Sequence, residues 1–133
     1  MKIFAVLSFF LTVACFAAAT SAAEYKSSDI YMIDGDTVSV GPERVRVRLV
    51  GFDTPETRNA KCTYEKNLGN LATTRARTLV KAAGRVDLLL LPGKDKYGRH
   101  LGKVFVRGQN LGEILISEGL ARPYSGGRRK GWC

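Results

Sequence analysis

Residues 44–49 read Arg-Val-Arg-Val-Arg-Leu, and this strict alternation constrains the fold more than any other stretch of the chain. A period of two belongs to a β-strand with one face buried and the other in water. Just before it, residues 29–40 (DIYMIDGDTVSV) have the form of a hairpin. Ile30 and Met32 lead in, Asp34-Gly35 is a turn signal, and Thr37 to Val40 lead out. Gly41-Pro42 then turns the chain into a third strand over residues 43–52. Three strands joined this tightly make a meander.

Residues 57–63 are polar and aperiodic, as in a loop. Residues 64–83 have helical spacing. Leu68, Leu71, Ala72, Leu79 and Ala83 fall near one face, and Lys66, Arg75, Arg77 and Lys81 keep largely to solvent. Gly69 weakens the start of this helix and Gly84 is a good stop. A fourth strand over 85–91 ends at Pro92-Gly93, and a fifth spans 99–107. Asn110 caps a short helix that runs through Glu118. The order β-β-β-α-β-β-α predicts a β-rich (α+β) fold, a five-stranded OB-type barrel with two helices. Such a fold permits nucleic-acid binding without proving it.

The amino terminus is expected to lie outside that domain. Lys2 precedes an almost wholly apolar run from Ile3 to Ala19, followed by small residues up to Ala23. This is the pattern of a secretory signal peptide over residues 1–23, leaving a domain over residues 24–133 and a secreted or periplasmic location. Two other readings stay open: an uncleaved anchor, short for a span of about 20 residues, and a lipid-modified Cys15. Beyond residue 23 lie all 12 acidic residues and 20 of the 21 Lys and Arg, a net charge of +8. A small exported protein this basic is expected to meet a polyanion. Cys62 and Cys133 are the cysteines left after cleavage, and in an oxidising compartment they are expected to pair.

Three short segments carry unusual chemistry: Asp34-Gly35-Asp36-Thr37, Arg48 to Glu56 (RLVGFDTPE), and Asp95-Lys96-Tyr97-Gly98-Arg99. Asp36 at a hairpin and Asp53 at a strand end are hard oxygen ligands. With the Thr54 main-chain carbonyl and water they suit Ca²⁺, which takes six to eight oxygens. Pro55 fixes the turn that follows. Glu56, near the ion, is placed to act as a general base on water. Phosphodiester hydrolysis also needs positive charge against the transition state, and Arg48 and Arg99 are the candidate clamp.

These motifs, with the closing segment NLGEILISEGLARPY (110–124), resemble the thermonuclease family, the staphylococcal-nuclease-like domains. The resemblance covers roughly residues 28–124. It implies that Asp36, Asp53 and the Thr54 carbonyl hold calcium, with Asp34 contributing behind them. It implies that Glu56 is the base and that Arg48 and Arg99 bind phosphate. Lys96 and Tyr97 match positions that contact a nucleotide's terminal phosphate. The implied activity is Ca²⁺-dependent cleavage of DNA and RNA to 3′-phosphorylated products. Single-stranded substrate, a monomeric state and no stable membrane association after signal cleavage go with that expectation. The family's third, carboxy-terminal helix is expected to have no counterpart in the basic tail, and a Cys62–Cys133 bond is expected to replace the stabilisation it would give.

Two features have competing readings. His100, next to Arg99 on a strand, should face the opposite way and is read as structural or exposed. The tail with Arg128, Arg129, Lys130, Trp132 and Tyr124 either adds phosphate contacts and base stacking or is a solvated terminus. For the whole chain, the alternatives are a non-catalytic nucleic-acid-binding OB module and a basic envelope protein that binds polyanions.

Overall fold

The computed structural model of the chain describes residues 21–133. The apolar run Ile3–Ala19 and Cys15 lie outside the described residues. The first strand, β1 (Ala23–Lys26), begins at the residue after which cleavage is expected. A single turn of 3₁₀ helix leads to β2 (Ile30–Asp34), β3 (Thr37–Val40) and β4 (Val45–Leu49). Then come β5 (Gly51–Asp53), α1 (Thr63–Ala83), β6 (Arg85–Lys94), β7 (His100–Val106), β8 (Gln109–Asn110), α2 (Leu111–Ser117) and β9 (Arg122–Tyr124).

The five expected strands are β2, β3, β4, β6 and β7, and they pair in the order β2-β3-β4-β7-β6. The meander is antiparallel, whereas β4 lies parallel to β7 with Val47 opposite His100 and Leu49 opposite Gly102. That parallel join, with a helix between the third and fourth strands, is the OB-type arrangement. Met32, Val38, Val47, Leu49, Val104 and Leu115 fill the interior, each no more than about a fiftieth exposed. Among the described residues, no helix is long and apolar enough to cross a membrane.

Three local readings change. The third strand does not run unbroken to residue 52. It stops at Leu49, and Gly51, at φ +94°, redirects the chain into β5, which pairs with β9. The fourth strand passes through Pro92-Gly93 to Lys94, at the cost of a register shift after Leu91. The buried face of α1 consists of Glu65, Gly69, Ala72, Thr73, Ala76 and Val80, while Leu71 is 59% exposed.

Small residues dominate that face because the helix lies close to the loop carrying Pro55 and Glu56. A Cβ on Gly69 would stand 2.7 Å from the Pro55 carbonyl oxygen and 2.8 Å from that of Glu56. The glycine that weakens the helix in isolation is what permits this approach. Arg77, expected in solvent, lies over the Tyr31 ring and donates through Nε to the Met32 carbonyl at 2.9 Å, satisfying the open edge of β2. Arg75 forks onto Glu118 and ties α1 to α2.

The tail is fastened rather than free. Cys62 and Cys133 have their sulfurs at bonding distance and Cα atoms 6.0 Å apart, and Trp132 is buried with Arg122 stacked on its ring at 3.6 Å. The loop this bond closes spans a sequence separation of 71 residues. Replacing Cys133 by serine is expected to cost about 4 kcal/mol of stability, the chain-entropy value for a loop of this length. Urea unfolding of the variant beside the oxidised natural protein measures it, and a loss below about 1 kcal/mol would contradict a stapling role.

Candidate active site

Strand pairing explains why residues far apart in sequence meet. Arg48 on β4 sits between Thr37 on β3 and Leu101 on β7. Asp36 immediately precedes β3, Asp53 ends β5, and Arg99 immediately precedes β7. The hairpin tip then packs against the loop after β5. A Cβ on Gly35 would come within 2.6 Å of the Thr54 side chain. Gly35 does not have a positive φ, so close approach, not a left-handed turn, is what requires glycine there.

Asp36 and Asp53 are buried, and one guanidinium stands between them. Arg48 Nη1 lies 3.0 Å from Asp36 Oδ2, and its Nη2 lies 3.5 Å from Asp53 Oδ1. Arg48 also donates to the Leu49 carbonyl at 2.7 Å and the Asp36 carbonyl at 3.2 Å. The Thr54 N–H donates to Asp36 Oδ2 at 3.1 Å, so Thr54 is held against the first acid while its carbonyl remains an acceptor. Asp34 accepts from the Asp36 N–H at 3.1 Å and stands behind the site rather than in it. Burial pushes the Asp36 carboxyl above its ordinary range. Arg48 pulls it partly back, and the neighbouring Asp34 adds to the rise.

The donor set fits a hard divalent cation. It consists only of oxygens, two of them from buried carboxylates, with the Thr54 carbonyl beside them. Asp53 Oδ1 is a buried oxygen with no well-aligned hydrogen-bond donor, although cationic nitrogens stand close to it. An oxygen left in that condition is costly unless positive charge compensates it.

Beside the carboxylates lies a cleft of about 990 Å³. Arg48, Lys96, Tyr97, Arg99, Tyr124 and Arg129 are among its lining residues. Tyr97 is 71% exposed, with Lys96 and Arg99 both against its ring. His100 is half-buried and does not line the cleft, whereas Arg99 and Leu101 on either side of it do.

Four residues have site contacts that the sequence reading did not assign: Asp95, Glu65, Arg129 and Trp132. Asp95 holds Arg99: Oδ2 pairs with Arg99 Nε at 2.7 Å, and Oδ1 accepts from the Tyr97 and Arg99 N–H groups at 2.9 Å each. The signal was available, since an acid four residues before an arginine around a Gly turn is suited to a closed loop. Glu65, buried in the first turn of α1, accepts from the Lys61 N–H at 2.7 Å and the Glu56 N–H at 3.4 Å, and so shapes the loop bearing Glu56. Arg129 from the tail reaches Asp53 Oδ1 at 2.6 Å and Glu56 Oε1 at 2.7 Å, and Trp132 Nε1 donates to Asp53 Oδ2 at 3.4 Å.

Burial alone would raise the Asp95 carboxyl. The N–H groups and guanidinium of Arg99, with the Tyr97 N–H, outweigh it and hold the pKa below the ordinary 3.8. Stability from this contact is complete above that value and fades as pH falls through the lowered one. Asp95→Asn is expected to cut turnover about tenfold by loosening Arg99, and to lower the unfolding midpoint at pH 7 by a margin that shrinks as the pH falls through the lowered pKa of Asp95. Steady-state kinetics beside a urea titration check both halves.

A family model described as "Staphylococcal nuclease homologue" matches residues 46–130. The chain belongs to the staphylococcal nuclease family. The endonuclease YncB of Bacillus subtilis is 39% identical over 94 residues, which are 68% of this chain and 44% of that protein. An uncharacterised endonuclease of Escherichia coli O157:H7 is 33% identical over 98 residues, 71% of this chain and 58% of the relative. An uncharacterised protein of Methanocaldococcus jannaschii, MJ1439, is 30% identical over 123 residues, 75% of this chain and 59% of the relative. The chain thus spans about half the length of these relatives. The family match includes Arg48, Asp53, Thr54, Glu56, Lys96, Tyr97 and Arg99, while Asp36 lies ahead of it.

Proposed function

We propose that this chain is an exported nuclease that hydrolyses phosphodiester bonds of DNA and RNA. The observation that carries this reading is the meeting of Asp36, Asp53, the Thr54 carbonyl and Glu56 on the guanidinium groups of Arg48 and Arg129, which line a cleft also walled by Arg99. Family membership and two relatives named as endonucleases support it.

Asp36, Asp53 and the Thr54 carbonyl would hold Ca²⁺, which when bound supplies positive charge against the scissile phosphate. Arg48 fixes the two acids in register and presents the inner wall of the cleft. Arg99, oriented by Asp95, binds the phosphoryl oxygens and stabilises the charge that grows on them. Glu56 takes a proton from the attacking water. Lys96 and Tyr97 contact a flanking phosphate from the exposed side. Bases of single-stranded or frayed nucleic acid can reach the exposed Tyr97 ring, which is why such substrates are favoured. The signal-like amino terminus and the Cys62–Cys133 pair support export to an oxidising compartment.

Incubating the oxidised protein with DNA and with RNA and analysing the new chain ends tests this reading. Cleavage of both with 3′-phosphate ends is expected. Tight binding without cleavage would replace it with the nucleic-acid-binding module.

A further inference from the structure

Arg129 is the one tail residue whose charge enters the carboxylate cluster. Its Nη2 lies 2.6 Å from Asp53 Oδ1 and 3.4 Å from the Thr54 carbonyl oxygen, and its Nη1 lies 2.7 Å from Glu56 Oε1. These are three oxygens of the group assigned above to cation binding and to the base. The guanidinium sits where a divalent ion's charge would act.

The strap that carries it is anchored on both sides. Before it, β9 pairs with β5, placing Tyr124 opposite Gly51 and Arg122 opposite Asp53. After it, Trp132 is buried and Cys133 meets Cys62. Between the anchors, Gly126 and Gly127 both have positive φ, at +106° and +81°, and Gly131 has open space around it. The Arg129 side chain is 41% exposed and borders the cleft. It can therefore turn out of the cluster without the strap leaving the domain. Burial works against its charge, but hydrogen bonds to Glu56 and Asp53 outweigh burial and raise its pKa, so it remains charged throughout the physiological range.

We propose that Arg129 is a built-in, displaceable occupant of the cation site: it neutralises Asp53 and Glu56, and a divalent ion binds by pushing its guanidinium aside into the cleft. This rests on the reading of Asp36, Asp53 and Thr54 as the cation site. Because the strap is tethered at both ends, the guanidinium competes at every ion concentration. The competition lowers affinity for the ion, so Arg129 tunes an affinity that Asp36, Asp53 and the Thr54 carbonyl create.

Calorimetric titration of Ca²⁺ into the full, oxidised protein tests this without reference to turnover. Arg129→Gln is expected to bind Ca²⁺ about tenfold more tightly than the natural protein, a gain of about 1.4 kcal/mol. Arg129→Lys, which keeps the charge but loses the fork that bridges two carboxylates, should fall between them. Trp132 is the only tryptophan, and its unshifted emission in the variants reports that the strap is still seated. Equal or weaker binding by Arg129→Gln, with binding abolished in Asp53→Asn, would overturn the role of Arg129 and leave the cation site standing. Unchanged binding in Asp53→Asn would remove the cation site itself, and the inference with it.

Discussion

Arg99→Ala is expected to lower turnover on denatured DNA by about 10²–10³-fold, the range for losing one preorganised donor to transition-state charge. The fold should survive. Arg99 lies at the mouth of β7 and is held by Asp95 and by the Thr37 hydroxyl at 3.3 Å, not by the core. Removing it leaves Asp95 partly exposed, where water can satisfy it. An unfolding midpoint near that of the natural protein, with turnover down by two orders of magnitude or more, fits a phosphate clamp. Turnover within a few-fold of normal would take Arg99 out of the mechanism.

The second large effect belongs to Glu56. Glu56→Gln keeps the shape and an acceptor oxygen but removes the proton-accepting carboxylate, and a general base is worth about 10²–10⁴-fold. The side chain is only half-buried, and its loop is held by main-chain bonds to Glu65 and by packing on Gly69, so folding should be unaffected. Glutamine also weakens one of the two ion pairs that Arg129 makes, so cation affinity should rise while turnover falls. A variant that loses both turnover and cation binding would place Glu56 among the ligands rather than as the base. Near-normal turnover would exclude it as the base.

Much of this site is legible in the sequence because its groups are carried by turns and strand ends. An Asp-Gly tip, an acid at the end of a short strand and a proline behind it each have a local geometry that fixes where the carboxylate goes. Asp36, Asp53 and Thr54 accordingly come together with Arg48 between the acids. What is not legible depends on approach between distant segments. Gly35 and Gly69 look like a turn residue and a weak helix residue, yet each is a contact surface for the loop at Thr54–Glu56. Leu71 has the right type and spacing for a core position and is exposed, because small residues, not leucines, face a backbone that comes this near. Arg129 carries no periodic signal. A Gly-rich basic tail looks equally like solvent-exposed chain, and only its attachment through Trp132 and Cys133 brings it onto Asp53. The Asp95–Arg99 pair is intermediate: its spacing is visible, but its role requires the position of the cleft.

The most direct measurement follows release of fragments from heat-denatured DNA by the oxidised protein, with Ca²⁺ and then with excess chelator. Cleavage that requires Ca²⁺ and stops on chelation is the predicted result. Cleavage unchanged by the chelator would contradict the assignment of Asp36, Asp53 and Thr54, and DNA bound but uncut with Ca²⁺ present would contradict the nuclease reading itself.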